Sequence, residues 1–157
     1  MTLKFLRKEN NDLCLMMARF ALGSVFLWFG IDKWIHPEAW FGWVPAWAYP
    51  FMPGGLGTSM VLMGIVEVVI GLCLIAGVYM LAASAVAWFM LLMIVATQGA
   101  NEVAVRDAGL LGIAVTVLIH ANARARRPLP RKVVEAATLV TIAVIFVMGI
   151  AYLRAGK

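Results

Sequence analysis

The hydrophobic positions of this chain form long, nearly unbroken runs that polar or basic segments separate. A helix needs roughly 20 residues to cross the hydrocarbon core of a bilayer, with a range of about 17–25. The run 57–98 is long enough for two such helices, and Gly77 is the predicted turn because glycine ends helices in the left-handed conformation. The pattern therefore predicts one all-α, polytopic transmembrane helix bundle over residues 1–157. Its predicted spans are about Leu13–Ile31, Gly57–Val78, Met80–Gln98, 106–121 and Val133–Leu153.

The composition supports a membrane protein. Hydrophobic residues make up 64% of the chain and charged residues 13%, whereas soluble domains average about 45–50% and about 25%. The mean hydropathy is +0.93. The net charge of +5 does not indicate a nucleic-acid partner, because the basic residues flank the apolar runs and so report topology. We expect the lipid bilayer to be a partner and nucleic acid not to be one.

Lysine and arginine are distributed unevenly between the two ends of the predicted bundle, and cytoplasmic loops normally carry the excess. With the N-terminus in the cytoplasm, that side holds eight basic residues and the outer side four, leaving aside one inside a span. We therefore predict a cytoplasmic N-terminus, and an uncleaved first span because no small-x-small cleavage site follows it. The eight are Lys4, Arg7, Lys8, Arg124, Arg126, Arg127, Arg131 and Lys132; the four are Lys33, Arg106, Arg154 and Lys157.

The segment 34–56, between the first two spans, holds four of the six tryptophans. Tryptophan concentrates at the headgroup level of membranes because its ring is apolar while its N–H seeks a polar partner. Pro37 and Glu38 suit the first turn of a helix, so we expect a short interfacial helix on the outer surface. Two interpretations stay open: an aromatic belt, or a lid over an opening between helices.

Polar residues cluster at the same outer boundary. Because unpaired charges near hydrocarbon are costly, we expect them to pair, with Lys33–Asp107 and Asp32–Arg106 as the first candidates. The cluster is either an ion-pair network that joins helix ends or a site for a polar headgroup or anion. It comprises Asp32 and Lys33 after the first span, Gln98, Asn101 and Glu102 after the third, and Arg106 and Asp107 at the start of the fourth.

Two charges lie deep inside predicted spans, Arg19 in the first and Glu67 in the second. A charge at that depth costs a few kcal/mol and normally faces a partner or a wet cavity. Counted from the span ends, the two differ in depth by roughly 7 Å, which a stretched arginine can reach. We therefore predict an Arg19–Glu67 ion pair, with a role in proton or ligand handling as the alternative.

No pattern in the chain predicts a metal or dithiol site. Cys14 and Cys73 are far apart and form no C-x-x-C, so small buried hydrophobes are the expected role of both. His36 lies in the outer loop and His120 at the cytoplasmic end of the fourth span, so the two cannot ligate one metal ion or haem together. We expect no metal site and no covalently bound cofactor.

Three stretches resemble the DoxX family of small integral membrane proteins. They are 18–33, with an early arginine and a closing Gly-x-x-Lys, then 64–72 with its mid-helix glutamate, and 105–112. The resemblance covers roughly residues 13–121. It implies a four-helix core, here with a fifth, C-terminal helix, in the cytoplasmic membrane of a bacterium or archaeon. Some relatives are linked to thiosulfate:quinone oxidoreductase and others to thiol-redox partners.

The first functional hypothesis is therefore a membrane subunit of a quinone-linked oxidoreductase, working with other membrane or redox subunits. The quinone would lie between helices near the outer face, where an apolar pocket meets a few convergent polar groups. The alternative is a non-catalytic accessory subunit of a larger membrane complex, docked through its fifth helix; a small-solute transporter has less support. The candidate ligand-binding residues are Asp32, Lys33, Trp34, Trp40, Trp43, Arg106 and Asp107.

Overall fold

A computed structural model describes residues 2–155, and the side chains of 13–154. These residues form five α-helices and no strand, and all five helices are long and apolar enough to cross a membrane. The structure thus confirms the all-α polytopic bundle. The helices are α1 (Thr2–Ile35), α2 (Gly55–Ala76), α3 (Met80–Gln98), α4 (Glu102–Arg124) and α5 (Arg131–Ala155).

Three element boundaries differ from the prediction at the end of the bundle that carries the loop 36–54 between α1 and α2, hereafter the loop end. Helix α1 continues to Ile35, so its polar end residues are helical. Helix α4 starts at Glu102 because Asn101 caps it, with Oδ1 accepting from the Ala104 N–H at 2.9 Å. The loop holds two short 3-10 helices, Pro37–Trp43 and Ala46–Phe51, and not the single interfacial helix that we expected. Proline begins the first of them, as its fixed φ favours.

Helices α1 and α2 pack backbone to backbone through two glycine pairs. A Cβ at Gly30 would lie 2.7 Å from the Gly64 carbonyl oxygen, and one at Gly71 would lie 2.7 Å from the Gly23 carbonyl oxygen. Glycine permits this approach because it has no side chain, as in other close membrane-helix pairs. The pairs are seven residues apart on both helices, which sets one antiparallel register over the length of the contact.

Helices α3 and α4 pack against each other through small and apolar side chains, and complete the core with α1 and α2. Helix α5 packs chiefly on α4. A hydrogen bond from Trp88 Nε1 to Thr141 Oγ1, 2.8 Å long, also ties α3 to α5. The buried members of the shared core are Leu22, Phe26, Ile70, Leu74, Ala83, Ala87, Leu91, Leu111, Ala114 and Val117.

The turn between α2 and α3 lies where the sequence predicts it. Gly77 ends α2 in the left-handed region at φ 73°. The guanidinium of Arg19 fills the space in which a side chain at position 77 would begin, so both the backbone angle and the packing require glycine there. Tyr79 also adopts a positive φ, of 49°, and precedes the first residue of α3.

The glycine contacts generate the first prediction. Gly30→Ala should lower the free energy of unfolding by about 1–3 kcal/mol, because the new methyl group meets backbone atoms of α2 that cannot move aside independently. Unfolding in mixed micelles with increasing sodium dodecyl sulfate, followed by circular dichroism, measures the change.

Gly109→Ala is the matched control. A Cβ at this residue would have no neighbour within 4 Å. The substitution should be neutral or stabilising by up to about 1 kcal/mol, because alanine favours the helix. Equal destabilisation by the two variants would contradict the packing role of the Gly30 contact.

Candidate functional site

A buried ion pair joins α1 to α2 near the loop end of the bundle. Lys33 Nζ donates to Glu67 Oε2 at 2.7 Å, and the two side chains are 6% and 4% exposed. In the register that the glycine pairs set, Lys33 lies about 9 Å nearer to the loop end of the bundle than Glu67 does, measured along the helix axis. The pair still forms because side chains lean toward the N-terminus of their own helix. Because the helices are antiparallel, the lysine leans away from the loop end and the glutamate leans toward it, so the two side chains meet.

The predicted Arg19–Glu67 pair is wrong. In the register that places Gly23 opposite Gly71, Glu67 lies about 12 Å nearer to the loop end of the bundle than Arg19, at 1.5 Å per residue. The two side chains also lean in opposite directions, since their helices are antiparallel. Depths counted from the edges of hydropathy runs underestimated this separation. Arg19 instead packs beside Gly77, at the opposite end of the bundle.

Aromatic rings of α1 and the loop surround the lysine ammonium. Lys33 Nζ lies 3.6 Å from the centroid of the Trp40 ring and 5.9 Å from that of Phe29, and the two rings pack edge to face. Such contacts stabilise a desolvated cation. Asp32 holds Trp40 in place by accepting from its Nε1 at 3.0 Å, and its other oxygen is 3.1 Å from His36 Nδ1. Asp32 therefore orders the loop above the ion pair.

The other predicted pairs at this boundary are also wrong. Lys33 pairs with Glu67 and not with Asp107, and Asp32 contacts the loop and not Arg106. Arg106 Nε instead donates to its neighbour Asp107 at 2.9 Å, and the guanidinium carbon lies 5.4 Å from the Phe29 ring centroid. The partner of Lys33 is therefore Glu67, the acid on the adjacent helix α2 toward which the lysine side chain leans.

These groups surround a cavity of about 490 Å³, hereafter the aromatic cavity. This size lies within the range of small-molecule sites, about 300–1,000 Å³, which are typically apolar with a few polar groups. Its charged lining residues are Lys33, Glu67, Arg106 and Asp107; its apolar lining includes Phe26, Phe29, Trp40, Trp43, Trp47, Met60, Met63, Phe89, Met90 and Met93.

Five of the seven predicted ligand-binding residues line this cavity, and two do not. Asp32 acts on the lining indirectly, through Trp40. Trp34 faces α2, where its Nε1 donates to the Val61 carbonyl oxygen at 3.2 Å. The five that line it are Lys33, Trp40, Trp43, Arg106 and Asp107.

Sequence reasoning singled out Glu67 but did not group it with the ligand-binding candidates, and it missed Phe29, Trp47 and the methionines as lining residues. A signal existed for part of this set, because Met60, Met63 and Glu67 recur at i, i+3 and i+7 and so share one face of α2. Trp40, Trp43, Trp47 and Ala48 line the cavity, so the loop supplies part of its wall. This position places the loop tryptophans in contact with anything that the cavity holds.

Neither histidine belongs to the aromatic cavity. Nδ1 of His120 lies 3.2 Å from the Thr116 carbonyl oxygen, at the end of α4 opposite the loop. Within the part of the chain that the structure describes, no three His, Cys, Asp or Glu side chains come together as metal ligands. Cys14 and Cys73 are both free thiols.

Comparison with protein-family models finds one match, to DoxX, over residues 14–99. The matched part is more than half of the chain and contains α1 from its apolar part onward, the loop, α2 and α3. It includes Lys33, Trp40 and Glu67 and ends before Arg106 and Asp107, although we expected resemblance over 105–112 as well. No curated protein and no solved structure matches the chain.

The ion pair yields a prediction from a double-mutant cycle. Lys33→Met should destabilise the protein by about 3–5 kcal/mol, because it leaves a buried carboxylate without its partner. Adding Glu67→Leu should recover most of that loss, since the double variant buries no charge. Unfolding in sodium dodecyl sulfate mixed micelles measures all four members of the cycle.

Arg131→Met is the matched control, because it breaks an ion pair of similar length whose side chains are exposed. Arg131 Nε and Glu135 Oε1 are 2.6 Å apart, with side chains 90% and 53% exposed. Its loss should cost less than about 1 kcal/mol. Additive losses for Lys33→Met and Glu67→Leu would show that the two side chains do not depend on each other.

Proposed function

This chain belongs to the DoxX family of membrane proteins, and on that premise we propose that it is the membrane subunit of a quinone-linked oxidoreductase. The aromatic cavity is the part of the chain that binds the quinone ring. The observation that carries the proposal is a buried lysine–glutamate pair in the wall of a mostly apolar cavity at the loop end of the bundle. A lipid-soluble quinone reaches such a site from the bilayer.

The polar groups of the cavity fit a ring with two carbonyl oxygens. An ammonium has three N–H donors, and Glu67 accepts one from Lys33, which leaves donors for a ligand carbonyl. Arg106 also lines the cavity and is half exposed, so its remaining N–H groups can serve the second carbonyl. The distances between these donors and a ligand depend on where the ring lies.

The apolar groups fit the flat face of the ring. Tryptophan and phenylalanine rings stack on aromatic ligands with little loss of conformational freedom. The five lining methionines, Met52, Met60, Met63, Met90 and Met93, supply flexible, polarisable contacts that adapt to a ligand's outline. The walls therefore select for an aromatic ligand by shape, while the charged groups orient it.

A quinone that becomes a quinol takes up two electrons and two protons. In our proposal this chain binds and orients the quinone, and the Lys33–Glu67 pair holds protons beside its oxygen atoms. The electrons come from a partner subunit or from the substrate.

Quenching of tryptophan fluorescence by a short-chain, water-soluble quinone tests the binding. We expect saturable quenching in detergent solution and a smaller amplitude for Trp43→Phe, since Trp43 lines the cavity. The variant Lys33→Met/Glu67→Leu should bind about tenfold more weakly, because a hydrogen bond to a charged group contributes about 1.5–3 kcal/mol.

Trp28→Phe is the matched control, since Trp28 is 72% exposed and does not line the cavity. It should change the baseline fluorescence and leave the saturable part unaltered. Quenching that rises linearly with quinone, with equal contributions from Trp28 and Trp43, would reject the quinone site. It would favour the accessory role, for which α5 offers an exposed apolar face with Leu139, Phe146 and Leu153.

We place the N-terminus in the cytoplasm as part of the same proposal. The eight basic residues then lie at the end of the bundle opposite the aromatic loop, where cytoplasmic segments carry an excess of lysine and arginine. The aromatic cavity faces outward. A reporter enzyme that is active only outside the cytoplasm should therefore be active when fused after Lys157, and activity only when it is fused before Met1 would reverse the orientation.

A further inference from the structure

A second cavity, of about 1400 Å³, opens at the end of the bundle opposite the loop 36–54 between α1 and α2. We call it the basic cleft. Its polar lining residues are Arg19 of α1, Tyr79 after the α2–α3 turn, His120 and Arg124 of α4, and Arg126 of the following loop. The rest of its wall is mostly apolar and comes from α1, α3 and the loop after α4.

Arg19 is the unusual member of this set, because it lies inside the apolar span Leu13–Ile35, about 9 Å from the start of that span. Within residues 13–154, no side chain forms an ion pair with it, and its Nε is shielded from solvent without a hydrogen-bond partner. Its guanidinium carbon lies 5.7 Å from the centroid of the Phe20 ring. A cation at this depth normally has a compensating anion.

The surroundings hold the guanidinium at the wall of the cleft. Gly77 leaves the space that Nη1 occupies, and the C-terminus of α2 beside it carries the negative end of the helix dipole. That dipole is equivalent to about half an elementary charge. It favours the position of the cation and leaves part of the charge uncompensated.

We propose that the basic cleft binds an acidic membrane phospholipid, with the lipid phosphate on the Arg19 guanidinium. The planar fork of arginine matches two phosphate oxygens, and Arg126 adds a second positive charge at the mouth. Leu15, Met16 and Leu81 give an acyl chain an apolar wall to lie along. The volume is far larger than one phosphate ion needs, which argues for a lipid. This inference does not depend on the quinone proposal.

Thermal unfolding of the delipidated protein with added short-chain lipids tests the assignment. Dioctanoyl phosphatidylglycerol should raise the melting temperature saturably, whereas dioctanoyl phosphatidylcholine and inorganic phosphate at the same concentration should not. Arg19→Gln should weaken the phosphatidylglycerol effect at least about tenfold. Arg127→Gln, which removes a positive charge beside Arg126 in the loop after α4 but not from the cleft, should leave it within about twofold.

Ala82→Trp provides a test in which Arg19 stays in place. Ala82 is an exposed residue that lines the cleft, so the larger side chain obstructs part of it and should weaken the lipid effect even if Arg19→Gln does not fold. An equal response of Ala82→Trp and the unaltered protein to phosphatidylglycerol would overturn the proposal. Equal protection by phosphatidylcholine or by inorganic phosphate would also overturn it.

Discussion

The ion pair between Lys33 and Glu67 is the interaction on which the loop end of this structure depends. It joins α1 to α2, and the lysine ammonium lies under the ring of Trp40, so the same pair also positions the loop. A buried pair of this kind often stabilises a protein no more than two apolar side chains would. In our proposal its position in the wall of the aromatic cavity serves ligand binding.

The glycine contacts between α1 and α2 determine where that pair forms. The backbones touch at Gly23 with Gly71 and at Gly30 with Gly64, which fixes the register of the two helices. Given that register, the lean of side chains toward each helix N-terminus brings Lys33 and Glu67 together and directs Arg19 to the opposite end. Backbone contact at four small residues thus separates the charges of the first two spans into two different sites.

Much of the fold was predictable because hydrophobic run length is a strong signal in a membrane protein. The five spans and the Gly77 turn needed only the lengths of the runs and the turn chemistry of glycine. The end of α1 and the start of α4 were harder to predict from the sequence. Asp32 and Lys33 look like loop residues by hydropathy but lie in the last turn of α1, and the Asn101 cap starts α4 four residues before the predicted span.

Most candidate ligand-binding residues that line the cavity could be predicted from the sequence, but the ion pairs among the charged ones could not. Lys33, Trp40, Trp43, Arg106 and Asp107 followed from the topology, which brings the same ends of α1 and α4 together. The partner of Lys33 did not follow from the topology, because the depths of the charged residues were counted from the edges of the spans and the register set by the glycine pairs was not considered. Combining the Gly64–Gly71 spacing with the lean of the side chains would have replaced Arg19 by Lys33 as the partner of Glu67.

Infrared difference spectroscopy of a bound quinone tests the central claim most directly, because the carbonyl stretching frequency reports hydrogen bonding and nearby charge. We predict that at least one carbonyl band of a quinone bound to the unaltered protein lies below its frequency in an apolar solvent. In Lys33→Met/Glu67→Leu that band should return toward the solvent value. The same lowered band in both proteins would contradict the claim that this ion pair forms the polar part of the ligand site.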